Sequence, residues 1–325
     1  MILPLNENKL DSTKLKDFKA CPRKFFYSHV LGWRSQTPNI HLEFGSAWHE
    51  AMEHLLLSGY DNDSVIEAYD LFLRRYRQAF PPETDGMFQN KTPDNAFTIL
   101  SRYATRPEYQ SDLDDYKTLY TEIAGSVAVD EKRILFFRQD SILENKKNGH
   151  IRSREHKTGS GLYLWDEQWL LDGQVGTYNH VLYCLFPKEL VDGIEMNGTM
   201  FLKRKTPYSS DSPPSKDIFH RILIRRNEDQ MQVWLDTVRY YMWQIEMEYT
   251  LLEESKEEDY VMKCFPLRDT SCMDYYRLCE FHDFCMAWPN PLCKAFEPPI
   301  GFIQYFWDPT KEEAKHTFEL KPMEY

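Results

Sequence analysis

No stretch of the 325-residue chain approaches the roughly 20 consecutive apolar residues that cross a bilayer, so no transmembrane helix is expected. The opening residues, MILPLNENKL, lack the basic region and long apolar core of a secretory signal. The expectation is a cytoplasmic protein with no membrane partner. Positive charge is short as well: 39 Lys and Arg stand against 51 Asp and Glu, a formal net charge of −12. That balance argues against coating nucleic acid through bulk charge, but leaves room for a local basic groove or for metal ions that meet phosphates. A glycine-rich phosphate loop of the G-x4-G-K-[ST] type is missing. The HKTGSG at 156–161 resembles its end without the leading glycine, so the chain is not its own nucleotide-driven motor. Seven cysteines, an odd number in a chain with no secretion signal, do not suit a disulfide framework. Internal repeats and low-complexity tracts are absent.

What is present is ordinary for a globular chain: 42% hydrophobic and 28% charged residues, with 20 Tyr and 20 Phe to bury. The length suits one large domain or two modest ones. Residues 12–31 read as a helix capped by Ser12, with Leu15, Phe18, Cys21, Phe25 and Phe26 at helical spacing. A second helical pattern covers 45–57, and 62–120 reads as mostly helical between turn-rich PPETDG and NKTPDN. The character then changes. Residues 121–129, 134–143 and 150–157 read as three short strands, the last two joined by an ENKKNG turn. A helix over 167–185, a strand at GTMFLKRK, a loop, a strand at FHRILIRR and a long helix over 227–254 follow. The fold class expected is α+β, with a small central mixed sheet flanked by helices. Its parts are a mainly helical 10–120, a core over 121–255 and a Cys-rich segment with tail over 256–325.

The run IRSREHKTGS carries the chemistry. On a strand, Glu155 and Lys157 share a face and His156 points the other way. Asp140 lies on the neighbouring antiparallel strand, so both carboxylates can reach one point at the end of the sheet. Two carboxylates aimed at one point repel unless a cation sits between them, and Mg²⁺ or Mn²⁺ takes such oxygen ligands. Lys157 would then point at what the metal activates. Taken singly, Asp140 or Glu155 is more often a solvated strand charge; order and spacing together carry the reading.

Asp, a turn, then Glu-x-Lys resembles the core of the PD-(D/E)XK nuclease superfamily, which has a restriction-endonuclease-like core. Further matches are to its RecB-type exonuclease branch. Gln174-Val-Gly-Thr-Tyr178 fits that branch's QxxxY motif. FGSAWHEAME places His49 where the branch has a metal-binding His. LDSTKLKDFKACPRKFFYSHVLGW is similar to its N-terminal segment. Gln139 stands where the motif's Pro would be, a common replacement. The resemblance implies that Asp140, Glu155 and His49, with the backbone carbonyl of His156, bind a divalent ion. It implies that Lys157 is catalytic and that Gln174 and Tyr178 position the DNA backbone. Glu122, in the first strand, is either an acid lying behind the metal ligands or an exposed strand end.

Five of the seven cysteines fall between 264 and 293, which suggests a metal or cluster site. The gaps in Cys272-x6-Cys279-x5-Cys285 are wider than a zinc ribbon's short C-x2-4-C pairs. The resemblance implies a [4Fe-4S] cluster held by these three and Cys21, with zinc as the alternative. Cys184, Cys264 and Cys293 read as structural. Lys14, Lys16, Lys19, Arg23 and Lys24 make one basic spot, and Lys203, Arg204 and Lys205 near Tyr208 a second. Each is a solvated face or a phosphate track. The resemblance implies a metal-dependent exonuclease acting on DNA, on single strands or ends, alone or beside a separate helicase, recombination or CRISPR protein. A structure-specific endonuclease or a non-catalytic DNA-end-binding subunit are the alternatives.

Overall fold

A computed structural model of the chain describes residues 9–88, 90–161, 163–202, 218–274, 277–311 and 314–325, without the side chain of Asp274. The spot formed by Lys203, Arg204, Lys205 and Tyr208 lies outside the described residues. Helix α1 (Ser12–Ala20) is capped not by Ser12 but by Asp11, whose carboxylate accepts the Lys14 N–H at 2.7 Å. The helix expected over 12–31 breaks at Cys21, which is extended (φ −162°, ψ 113°). Pro22 is the cause, because its ring disfavours helical geometry in the residue before it. A short helical turn, Pro22–Phe25, and a π-turn, Phe26–Val30, follow. Strand β1 (Trp33–Ser35) leads to three longer helices: α2 (Ile40–Ser58), α3 (Asn62–Tyr76) and α4 (Pro93–Ala104).

The central sheet then begins earlier than expected. Strand β2 (Tyr116–Ala128) includes 116–120, where Tyr and Thr favour a strand and pair with the end of β3 (Ile134–Asn145). Strand β4 (Ile151–Gly159) returns from the hairpin, whose turn holds Gly149 at φ +72°, a left-handed geometry that glycine adopts without strain. The helix expected over 167–185 is split. Its main part, α5 (Gly173–Leu185), starts afresh because the Asp172 carboxylate caps the N–H groups of Gln174 and Val175. The strand expected at GTMFLKRK sits earlier, as β5 (Val191–Met200). Asp192, Glu195 and Asn197 disguise it in the sequence. They are buried because Arg and Tyr side chains pair with them. Strand β6 (Phe219–Ile224) and the 27-residue α6 (Glu228–Glu254) match expectation, and a capping box of Asn227 and Gln230 starts the helix. Strand β7 (Phe302–Gln304) pairs with β1, and β8 (His316–Leu320) joins the central sheet from the tail.

The sheet order is β8-β2-β3-β4-β5-β6. The β8–β2 and β4–β5 pairs are parallel and the others antiparallel. This is the mixed α+β architecture expected, a six-stranded sheet flanked by helices. Gly125 makes the sixth strand possible, because any Cβ there would collide with the Phe318 carbonyl. Two cores form. One gathers α1, α5 and α6 with Ile194 and Met196 of β5. The other gathers α2, α3 and α4 with Phe201 and Phe219. Alternation along β5 sends Asn197 away from the first core, and its side-chain amide donates to Tyr103 of α4 at 2.9 Å.

Aromatic packing holds the two ends of the chain together. Phe25 stacks on Phe265, Tyr27 on Phe281 and Trp33, and Trp33 meets Phe284 and Trp288 edge-on. Arg23, buried, donates to the Phe265 carbonyl at 2.9 Å, and Ser271 to that of Ala20 at 2.6 Å. Among the described residues no helix is long and apolar enough to cross a membrane.

Candidate active site

The β3–β4 register pairs Ser141 with Arg154, which sets Asp140 beside Glu155 across the strands. The Asp140 N–H donates to a Glu155 carboxylate oxygen at 3.2 Å, and the Ser153 hydroxyl donates to the same oxygen at 3.2 Å. The His156 N–H donates to the other neighbour, Asp140, at 2.7 Å, and His49 Nδ1 meets its second oxygen at 3.1 Å. His49 arrives from α2. Helical spacing puts Ser46, Glu50 and Glu53 on the same side, and all four line one cleft of about 840 Å³. Lys157, Gln174 and Tyr178 line it too. The Gln174 amide donates to the Tyr178 hydroxyl at 2.7 Å. Gln139, fully buried, donates to the Tyr178 carbonyl at 3.1 Å. The residue that replaces the motif's Pro therefore ties α5 to β3.

Electrostatics separate the two carboxylates. Burial opposes the charge on each. Asp140 is nonetheless held well below the ordinary carboxylate range, because His49, His156 and Lys157 favour its anion. Burial and the adjacent Asp140 charge push Glu155 well above that range. A carboxylate pair split in this way is the signature of two acids converging on one point, and it suits a site that takes a cation. Among the described residues, no three His, Cys, Asp or Glu side chains close into a metal-ligating group. The His156 imidazole, as alternation requires, faces the other side of β4. It is buried against the Asn197 amide, 3.0 Å away, and burial pushes its pKa down to about 3. Its backbone N–H reaches Asp140, and its ring lies edge-on to the His49 ring at 6.3 Å.

That other side carries a buried ionic lattice which the sequence reading missed. Arg154, 1% exposed, donates to Glu195 and with two nitrogens to Asp112 at 2.8 and 3.0 Å. Arg152 reaches Glu195 and Asp192, and Arg221 reaches Asp112 at 2.9 Å. The lattice fixes the strand that presents Glu155 and Lys157. A signal was available: Arg152, Arg154 and His156 alternate with Ser153, Glu155 and Lys157, so both faces of β4 are polar.

Glu122 also lines the cleft. It is ion-paired to Arg138 at 2.6 Å and lies at φ +46°, a left-handed geometry rare for a non-glycine residue in a strand. Its pKa is raised, first by burial and then by Asp140. Trp307 and Lys315, from the tail, complete the wall. The early basic spot is mostly engaged within the protein. Lys14 and Arg23 are buried, Lys24 pairs with Asp17 at 3.0 Å and Lys19 lies over the Tyr241 ring, while Lys16 is exposed.

At the joined ends of the chain, Cys21, Cys272, Cys279 and Cys285 come near one another. The Cys279 N–H donates to the Cys272 carbonyl at 2.9 Å, and the Arg268 N–H donates to Cys21 Sγ at 3.4 Å. Burial pushes the Cys285 thiol up to about 11; Arg23 opposes this, and Cys21, Cys279 and Cys272 add to it. Arg23 and Lys24 lie beside these thiols, and among the described residues the cysteines do not close into a metal-holding group. Cys264 is fully buried in the core, Cys184 packs against it from α5, and Cys293 is exposed with its thiol on the Asn290 carbonyl.

Comparison with known proteins gives one family. The family model of the PD-(D/E)XK nuclease superfamily matches residues 10–286. No curated protein is significantly similar. Among solved structures, a protein from Eubacterium rectale named "Putative exonuclease" is similar at 11% identity and a TM-score of 0.45. The match covers 75% of this chain and 82% of that one.

Proposed function

The chain belongs to the PD-(D/E)XK nuclease superfamily, and on that premise we propose that it is a divalent-metal-dependent DNA exonuclease of the RecB-like branch. One observation carries the reading: Asp140, Glu155, His49, Lys157, Gln174 and Tyr178, from two strands and two helices, line a single cleft. Asp140, Glu155 and His49, with the backbone carbonyl of His156, would hold Mg²⁺ or Mn²⁺. When bound, such an ion makes a water more acidic and offsets charge on the phosphate. Lys157, beside Glu155, orients the attacking water and stabilises the charge that grows on the phosphoryl oxygens. Gln174 and Tyr178, locked to each other, present a hydroxyl and an amide to the DNA backbone and fix its position. The sequence from 121 to 255 is the catalytic core, 10–120 supplies His49, and 256–325 supplies three of the four thiols.

Cys21, Cys272, Cys279 and Cys285 would hold a [4Fe-4S] cluster. Its contribution is to staple residue 21 to the segment near 280, adding to the aromatic packing already there. Anaerobic purification, a visible spectrum with iron and zinc analysis, and digestion of end-labelled DNA test the whole reading. Activity should vanish in EDTA, return with Mn²⁺ or Mg²⁺ and return poorly with Ca²⁺, which activates water less well. Linear single strands should be shortened from an end while circular DNA survives. Cleaved circles would make the enzyme an endonuclease, and full activity in EDTA would rule out the metal site.

A further inference from the structure

Beside the cleft lies a smaller recess of about 230 Å³, lined by Asp11, Thr13, Lys14, His29, Arg34, Tyr305 and Trp307. Three of these, Asp11, Thr13 and Trp307, also line the main cleft, so the two spaces adjoin. The recess brings two aromatic rings, Tyr305 and Trp307, together with Lys14, Arg34 and His29. Tyr305 is 53% exposed. Trp307 carries the Lys14 ammonium over its ring at 5.0 Å. Arg34 reaches only the His29 ring, at 3.5 Å, and among the described residues has no carboxylate in ion-pair distance. Glu280 lies within electrostatic reach of Arg34 and Lys24, and three further acids nearby are engaged. Asp11 caps α1, Asp17 is held by His29 and Lys24, and Asp308 pairs with Lys9 at 2.7 Å.

The frame is rigid. The Tyr305 N–H donates to the Gly32 carbonyl at 2.7 Å, just beyond the β1–β7 pair. Phe306 packs so close to Gly32 that a Cβ there would sit 2.8 Å from its ring. With Phe306 turned to Gly32, the flanking Tyr305 and Trp307 face the recess. Lys14 is buried, and its amine donates to the Lys9 carbonyl at 2.7 Å. Burial lowers its pKa to about 8, against the pull of Asp11. An anion placed against it would restore the charge that burial opposes.

We propose that this recess is a nucleotide subsite that takes one unpaired base of a DNA strand against Trp307 and Tyr305 and an adjoining phosphate against Arg34 and Lys14. Every base has a face to stack, so the contact tolerates sequence. It demands an unstacked, unpaired base, so it selects single-stranded DNA for the cleft. The proposal rests on the nuclease reading of that cleft.

The test uses the full chain and oligothymidylate. Cleavage is read with Mn²⁺, and binding is read by anisotropy in a Lys157→Ala background that does not cut. Trp307→Ala should weaken binding and raise KM by about five-fold or more, the effect of losing one base–aromatic stack, with kcat reduced far less. Trp307→Phe should restore most of it. A single abasic position near the end should weaken binding to the parent and have little further effect on Trp307→Ala. Arg34→Gln should flatten the salt dependence of binding by about one phosphate contact. Parent-like KM and affinity in folded Trp307→Ala and Tyr305→Ala, or equal sensitivity of parent and Trp307→Ala to the abasic position, would overturn the subsite and leave the nuclease reading standing. A parent that cuts no DNA with Mn²⁺ would overturn both.

Discussion

Replacing Glu195 with Gln tests whether the buried lattice behind β4 carries stability. Glu195 lies 3% exposed on β5 and accepts from Arg154 and from Arg152, the latter at 2.8 Å. Burial alone would raise its pKa, but Arg154, Arg221 and Arg152 hold it at about 2, against an ordinary value of 4.5. Because the folded value is depressed, its contribution is fully present above the unfolded value and is lost as pH falls towards the folded one. The shift of about 2.5 units is worth about 3 kcal/mol at pH 7 and about 2 kcal/mol at pH 3.5. Glu195→Gln keeps the shape and removes the charge, leaving Arg154 buried with Asp112 alone as its acid. Urea unfolding at pH 7 should show a loss of about 3 kcal/mol relative to the parent, in line with breaking one side of a buried pair. The same comparison at pH 3.5 should show a gap narrower by about 1 kcal/mol. A gap that stays constant with pH, or none at pH 7, would refute the view that ionised Glu195 anchors the strand presenting Glu155 and Lys157.

Three further outcomes are expected. Lys157→Ala should abolish cleavage while the thermal midpoint and DNA affinity stay close to the parent's, and parent-like cleavage would sink its assigned role. Cys21→Ala should lose iron and the broad visible absorbance of an all-thiolate cluster, with a lower melting temperature, whereas Cys184→Ala should keep both. A Cys21→Ala protein with full iron would remove Cys21 from the ligands, and a colourless parent with stoichiometric zinc would replace the cluster by zinc. Gly176→Ala should destabilise by about 1–3 kcal/mol in urea unfolding, because its Cβ would collide with the Trp234 ring where α5 packs on α6. An unchanged midpoint there would show that α5 can shift without cost.

The sequence by itself determined the elements whose cues are local. The ENKKNG turn set the β3–β4 hairpin, and with it the pairing of Asp140 beside Glu155, because a hairpin turn fixes register over the next few residues. The α+β class, the long α6 and the helix carrying His49 were equally legible, since period and capping are local properties. The break at Cys21 was legible too, in Pro22, had the helical period not masked it. What only the tertiary structure decided were contacts whose partners are distant in the chain. Strand β5 reads as polar until Arg152, Arg154 and Arg221 meet its acids. Strand β8 and Trp307 belong to a tail with no helical or strand period long enough to place them, and their positions come from pairing with β2 and packing beside Lys14. The sequence left the basic early helix open between a solvated face and a phosphate track, because charge is visible in a sequence and burial is not. Arg23 turned inward to the Phe265 carbonyl, 242 positions away, a partner no local pattern could name.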